Sequence, residues 1–211
     1  MEAKAIATYL KENLPTAKTC VLLQNDDFGA DAAAGFKTGG VTFTETVKYV
    51  SGTQSSATGQ TWVGKFAAAK CEVVVLFGVG TANAIALGVA AAGGYKPQWI
   101  LGSVGADIGS INPATVPYII GSTSMSFMPS VVDPKDAYVT QFKEINTKYN
   151  VGAKFNSWAL IGMNTAFIAV QALKAAGKNP TRKSLLAAID ASGSTFPNAA
   201  LVPLNYSKTS N

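Results

Sequence analysis

The stretch "VVVLFGVGTANAIALG" (Val73–Gly88) predicts a strand, a turn and a helix. It opens with an apolar, β-branched run typical of a buried strand, and the alanine-rich part from Thr81 onward favours a helix. The glycine turn Gly78–Gly80 between them is typical of a dinucleotide site, but that motif needs a third glycine where this chain has Asn83. It also needs an acid at the end of the next strand, where Ser103 stands. The pattern predicts an α/β fold and disfavours a nucleotide role.

The same alternation of strands and helices extends on both sides of this stretch. Strands separated by helices of this length form right-handed βαβ units, with a parallel sheet covered by helices on both faces. We therefore expect a Rossmann-like α/β lobe over residues 1–115, with its regular structure ending near Ile111. The predicted elements are a helix from Glu2 to Leu14, then "KTCVLLQN", "DDFGADAAAGFKTGG", "VTFTETVKYV", "TWVGKFAAAK", "CEVVVLFG", "TANAIALGVAAAGG" and "YKPQWILGS".

After this lobe the pattern becomes helical. Val116–Met125 is predicted to be a strand that leaves the lobe, and helices are expected over Asp133–Tyr149, Phe155–Ala176 and Thr181–Ala191. The middle helix is apolar almost all round, so it needs cover on most sides. The segment supplies little strand for this purpose. We expect the cover to come from a partner chain or, as we favour, from the rest of a larger protein.

Composition excludes several classes of function. The 211 residues are 48% hydrophobic and 14% charged, which indicates a globular chain. The formal charge of +5 is spread along the sequence, so we predict no nucleic-acid partner. Histidine is absent, which removes Ser-His and Cys-His catalysis and the commonest zinc ligand.

Two cysteines and two acids leave alternatives open. Cys20 and Cys71 each begin a predicted strand and would be close enough to bridge if those strands were neighbours, although we favour two buried free thiols. Asp26 and Asp27 follow a strand, where paired acids can bind magnesium, but capping of the next helix is favoured. Phe28 beside them faces either the ligand cleft or the core.

No targeting or membrane segment is predicted. The N-terminal residues "MEAKAIATYLKENL" form a charged amphipathic helix and not a signal peptide. The uncharged stretches Val73–Tyr95 and Trp158–Leu173 contain glycines or polar residues, so a soluble interior is favoured for both. "GQTWVGKF" has phosphate-loop spacing but carries Phe66 where a magnesium-binding Ser or Thr is needed, which favours an ordinary helix.

Five segments in order carry a family resemblance, and they span nearly the whole chain. They are "VLLQNDDFGADAAAGFKTG", "CEVVVLFGVGTANAIALGVAAAGGYKPQWILGS", "FKEINTKYN", "AVQALKAAGKNPTRKSLLAAI" and "LVPLNYS". Together they resemble the type I periplasmic binding proteins, in particular the branched-chain amino-acid (Leu/Ile/Val) receptors of ABC transporters. The most specific feature is the helix end Gly93–Pro97 before a Trp-containing strand.

The resemblance implies an arrangement of two lobes with a solute between them. This chain would hold the C-terminal lobe (residues 1–115), then a crossover and helices of an incomplete other lobe (116–200), then a return crossover strand (201–211). The family's N-terminal segment has no counterpart here, so we expect a fragment that lacks it. A homodimer or domain swap of that fragment is left open.

The resemblance implies a binding site without catalytic residues, metal or cofactor. Phe28 stands where the family commonly places a stacking aromatic, and Val79, Gly80 and Thr81 occupy the turn that faces the solute. Ser103 falls at or near the position where amino-acid binders often keep an acid for the α-ammonium group. Either Asp107 replaces that acid or the ligand is not an amino acid. Trp158 is a candidate contact from the other lobe, although core packing is favoured for it.

The function implied by the resemblance is that of an extracytoplasmic receptor of an ABC importer for amino acids or related small solutes. Its partners would be the solute and an inner-membrane permease. Its location would be periplasmic or extracellular, with a lipid anchor open for the parent protein. The alternatives are a sensory module of the same fold, or an α/β enzyme that uses Asp26 and Asp27 with a metal.

Overall fold

The computed structural model describes residues 1–106 and 116–204. The chain divides into two compact units, Met1–Met125 and Ser126–Asn211.

The first unit is built on a five-stranded parallel sheet, which confirms the predicted fold class. Its strand order is β2-β1-β3-β4-β5. The strands are β1 (Thr19–Gln24), β2 (Glu45–Tyr49), β3 (Val73–Phe77), β4 (Gln98–Leu101) and β5 (Thr123–Ser124). The helices are α1 (Glu2–Asn13), α2 (Asp27–Thr38), α3 (Ser56–Ala68), α4 (Gly80–Ala92) and α5 (Val116–Ile119).

Helices cover both faces of this sheet, which explains why β1 and β3 are buried along their whole length. Because successive side chains of a strand point to opposite faces, each strand contributes to two cores. Val21 and Leu23 of β1 pack with α1 and α2, whereas Cys20 and Leu22 pack with α3 and α4. Burial of each such aliphatic side chain stabilises the fold by about 1.5–3 kcal/mol. The apolar strands therefore fix the centre of the sheet.

Cys20 and Cys71 form a disulfide, so the expectation of two free thiols was wrong. Cys20 lies on β1 and Cys71 lies just before β3, and these two strands are neighbours in the sheet. Both side chains belong to the core on the α3 and α4 side, and their Cα atoms are 5.9 Å apart. The register of β1 on β3 thus brings together two residues that are 51 positions apart.

The segment Val116–Met125 is not the single extended strand that we expected. It contains α5, then a turn at Gly121 with φ +87°, then the two-residue strand β5. Strand β5 pairs in parallel with β4, so this segment completes the sheet of the first unit. The positive φ at Gly121 interrupts the extended run, because glycine adopts that conformation readily.

The second unit contains three main helices, as predicted from the sequence. Its small core includes Phe142 and Leu160 together with the half-buried Phe167. The predicted return strand over residues 201–211 is not seen in Leu201–Leu204, which have no strand structure, and the rest lies outside the described residues. The helices are α6 (Ala137–Tyr149), α7 (Ser157–Ala176) and α8 (Arg182–Ser192).

Helix α7 is long and apolar enough to cross a membrane by length and composition, although only 17% of its most apolar window is buried inside the structure. Such a composition also occurs in helices that pack inside soluble proteins. The polar Asn164 in its middle is buried, and its side-chain oxygen accepts a hydrogen bond from the backbone N–H of Ala199 at 2.7 Å. This hydrogen bond joins the middle of α7 to the segment around Ala199.

Candidate functional site

The sheet topology creates a crevice at the carboxyl ends of β1 and β3. Helix α2 leaves β1 towards one face of the sheet, whereas α4 leaves β3 towards the opposite face. The two chain turns therefore diverge, and open α/β sheets bind ligands at such a switch point. The predicted residues Phe28 and Val79–Thr81 lie on these two turns.

In the first turn, Asp26 caps helix α2, as the sequence favoured. Its carboxylate accepts a hydrogen bond from the backbone N–H of Gly29 at 3.2 Å, and a second from the side-chain amide of Gln24. Asp27 is exposed in the first turn of the helix. Within residues 1–106 and 116–204, no group of three or more His, Cys, Asp or Glu is placed to hold a metal ion.

Phe28 lies between the two environments that the sequence left open. Its ring is partly buried and packs on Phe77, the last residue of β3, with ring centroids 5.1 Å apart. Phe28 lies in the first turn of α2, which begins at the carboxyl edge of the sheet. Phe28 therefore extends the α1 and α2 core to the rim of the crevice.

In the second turn, the two glycines have different roles. A Cβ atom on Gly78 would lie 2.9 Å from the Tyr49 hydroxyl and 3.0 Å from Oδ1 of Asn83, whereas one on Gly80 would meet nothing within 4 Å. Gly78 is therefore required by close packing and Gly80 is not. The sequence motif predicted the turn, but the partner that fills it is a tyrosine side chain.

The amino end of α4 is open to solvent. Val79 is the N-cap and provides no side-chain hydrogen bond, and no acid stands in the first turn. Gly80 and Thr81 are exposed, and the first N–H groups of a helix have no acceptor within it. This end therefore carries partial positive charge and free donors.

A polar connection that the sequence did not indicate joins the two turns. The Tyr49 hydroxyl donates to Oε1 of Gln24 at 2.9 Å and accepts from the backbone N–H of Val79 at 3.0 Å. Burial is the main effect that raises the pKa of Tyr49; Asp26 also raises it, and the Val79 hydrogen bond lowers it. Tyr49 is the last residue of β2, which neighbours β1. Its position at a strand end was the only sequence feature that could have marked it as part of the site.

Ser103 follows β4 and holds an acid from a distant part of the chain. Its backbone N–H and its hydroxyl both donate to the carboxylate of Glu2, in the first turn of α1. The same short turn packs against the glycine turn, since a Cβ on Gly105 would lie 2.6 Å from the carbonyl oxygen of Gly78. The carboxylate of Glu2 therefore lies beside Ser103, which the sequence pattern did not indicate.

Two other predicted contacts, Asp107 and Trp158, stay predictions. Asp107 lies outside the described residues. Trp158 lies in the second unit, at the start of α7, and is 52% exposed, so the favoured core packing is not seen for it within the described part of the chain. A role of Trp158 in solute binding stays a prediction.

Comparison with known proteins identifies the class. The family model for periplasmic binding proteins matches residues 1–209. This chain therefore belongs to the periplasmic binding protein family, and its parallel sheet and helices have the type I fold. No curated protein sequence matches it significantly.

Solved structures with the same fold include receptors of several kinds. One is a possible leucine/isoleucine/valine-binding protein from Rhodopirellula baltica, with TM-score 0.79 and 15% identity over 97% of this chain and 56% of that chain. A second is a branched-chain amino-acid ABC transporter protein from Thermus thermophilus with bound valine, with TM-score 0.70 and 21% identity over 94% of this chain and 52% of that chain. A third is an ABC transporter solute-binding protein from R. palustris in complex with benzoate, with TM-score 0.71 and 18% identity over 90% of this chain and 51% of that chain.

The chain spans only about half the length of these proteins, as the 51–56% coverage shows. At these identities the likeness establishes the fold alone.

Proposed function

We propose that this chain is part of the solute-binding receptor of an ABC importer and that it binds a small organic solute at the carboxyl edge of its sheet. The observation that carries the proposal is the switch point between β1 and β3, where the chain turns to α2 and α4 on opposite faces of the sheet. An exposed helix terminus, an aromatic rim and a carboxylate surround this edge in a member of the periplasmic binding protein family.

The chemistry of this edge suits an amino acid or a related carboxylic acid. The free N–H groups at Gly80 and Thr81 favour an anionic group. The partly exposed ring of Phe28 offers an apolar surface for the body of the solute. The carboxylate of Glu2, held by Ser103, is suited to an ammonium group and would replace the acid that is missing from position 103.

The proposed mechanism needs no bond making or breaking. A second lobe would close over the solute by hinge motion, and the closed form would be presented to a membrane permease. We place the receptor outside the cytoplasm. The disulfide between Cys20 and Cys71 supports this location, because disulfides persist mainly in oxidising compartments.

The test is an amide NMR titration of the chain with L-valine, benzoate and glucose. We expect shifts at Phe28, Val79–Thr81 and Ser103 with valine or benzoate and none with glucose. In Glu2→Gln the response to valine is expected to weaken more than the response to benzoate, since only valine carries an ammonium group. The absence of any shift at this edge with both acids would count against the proposal.

A further inference from the structure

The Tyr49 side chain bridges two strands of the sheet. Tyr49 is the last residue of β2 and is 3% exposed, and its backbone carbonyl accepts from the N–H of Asn25 at 2.7 Å. Its ring passes the end of β1 to reach Val79, beyond the end of β3. Strands β2 and β3 are two positions apart in the sheet, or roughly 10 Å. The phenol therefore reaches from the end of β2, past β1, to the turn after β3.

A single hydroxyl is used both as donor and as acceptor in this bridge. It donates to Gln24, whose amide in turn donates to Asp26, the cap of α2. It accepts from the N–H of Val79, the residue that precedes α4. The hydrogen bonds thus run without interruption from the start of α4 to the start of α2.

We infer that Tyr49 is a positioning residue that holds the β1–α2 and β3–α4 turns in one arrangement and so presets the solute face. The inference rests on the proposed function. The Tyr49 hydroxyl accepts a hydrogen bond from the N–H of Val79. The N–H groups of Gly80 and Thr81 therefore remain available to a solute. Without the hydroxyl, the Val79 N–H and the Gln24 carbonyl lose their partner, and the two turns are no longer connected by this bridge.

A second tyrosine offers a matched control. The hydroxyl of Tyr95 donates to the carbonyl oxygen of Cys71 at 2.7 Å, and its ring packs on the same α3 and α4 core. Cys71 precedes β3, so this contact lies at the amino end of the sheet, opposite the proposed site. Burial raises the pKa of both tyrosines, so both hydroxyls remain protonated donors at neutral pH.

The experiment compares Tyr49→Phe with Tyr95→Phe in the full chain. The readouts are amide hydrogen exchange at Val79 and affinity for L-valine and benzoate. We expect Tyr49→Phe to speed exchange at Val79 and to weaken binding, each about tenfold, because one hydrogen bond and its orientation are lost. Tyr95→Phe should leave the Val79 exchange rate and the solute affinity at their wild-type values. This should hold even if Tyr95→Phe lowers the unfolding midpoint as much as Tyr49→Phe does.

Equal exchange at Val79 in Tyr49→Phe and the wild type would overturn the inference. The inference would also be overturned if Tyr49→Phe exchanged faster at Val79 but bound the solute no more weakly than Tyr95→Phe does. If the wild-type chain binds neither probe, the proposed function fails; faster Val79 exchange in Tyr49→Phe alone still supports the bridge itself. If Tyr49→Phe does not fold, Gln24→Leu removes the other end of the same hydrogen bond and is expected to give the same exchange result.

Discussion

The carboxylate of Glu2 accepts two hydrogen bonds from Ser103, one from the backbone N–H at 2.5 Å and one from the hydroxyl at 2.8 Å. The residues are 101 positions apart in the chain, so the contact ties the first turn of α1 to the turn after β4. A partly buried acid is thereby fixed at the carboxyl edge of the sheet.

Glu2→Gln should lower the free energy of unfolding by about 1–2 kcal/mol, because a neutral amide with one acceptor oxygen replaces a charged acceptor of two hydrogen bonds. Urea unfolding measures the change. Glu12→Gln, an exposed change of the same charge near the end of α1, is the control and should have little effect. Equal unfolding midpoints for the two variants would contradict this role of Glu2.

Asp26→Ala should destabilise the chain by about 1 kcal/mol because α2 loses its N-cap. Asp26→Asn retains an acceptor oxygen and should recover most of this loss, whereas Asp27→Ala removes only a favourable charge near the helix dipole. Thermal unfolding of the three variants tests whether Asp26→Ala loses the most stability. Stabilisation of the wild type by Mg²⁺ that disappears in Asp27→Ala would instead favour the metal-dependent alternative.

Removal of the Cys20–Cys71 disulfide should destabilise the first unit substantially. The bond closes a loop with a sequence separation of 51, for which the loss of chain entropy predicts about 4 kcal/mol. The measurement is the urea midpoint with and without a reductant. In a Cys20→Ala/Cys71→Ala variant the reductant should have no effect, and a wild-type midpoint that is insensitive to reduction would contradict the prediction.

The local elements were predictable because they depend on neighbouring residues. The runs around Val21–Leu23 and Val73–Phe77 are apolar on both faces, which indicated buried parallel strands before the register was known. The cysteine pairing was not predictable, since it depends on which strands become neighbours. Strand β5 was predicted too long, over Val116–Met125, because a two-residue strand has no periodicity that marks its ends.

The candidate site was only partly predictable. The turn at Gly78–Gly80 and the aromatic at position 28 follow from strand ends that the sequence marks clearly. Tyr49 and Glu2 could not be found in the same way, because each acts on a turn that is remote in sequence. A strand-end tyrosine and a first-turn glutamate are ordinary residues until the sheet order places them at the crevice.

Tyr49 also predicts sensitivity to alkaline pH. Burial raises its pKa above the usual value of 10, so the neutral phenol is favoured in the folded state. The stabilisation is therefore complete below pH 10 and is lost as the pH rises through the folded-state pKa, since the unfolded chain ionises first. The urea midpoint measured from pH 9 upward should fall less steeply in Tyr49→Phe than in the wild type. Identical slopes would show that the buried phenol does not contribute.

The two glycines of the β3–α4 turn should respond oppositely to alanine. A Cβ on Gly78 meets the Tyr49 hydroxyl at 2.9 Å and Asn83 at 3.0 Å, so Gly78→Ala must displace packed groups and should cost about 1–3 kcal/mol. Gly80 begins α4 in open space, so Gly80→Ala should be neutral or slightly stabilising. Urea unfolding gives both values, and exchange at Val79 should rise only in Gly78→Ala. A Gly78→Ala variant as stable as Gly80→Ala would mean that Tyr49 does not pack against this turn, and the connection between the two turns would lose its structural basis.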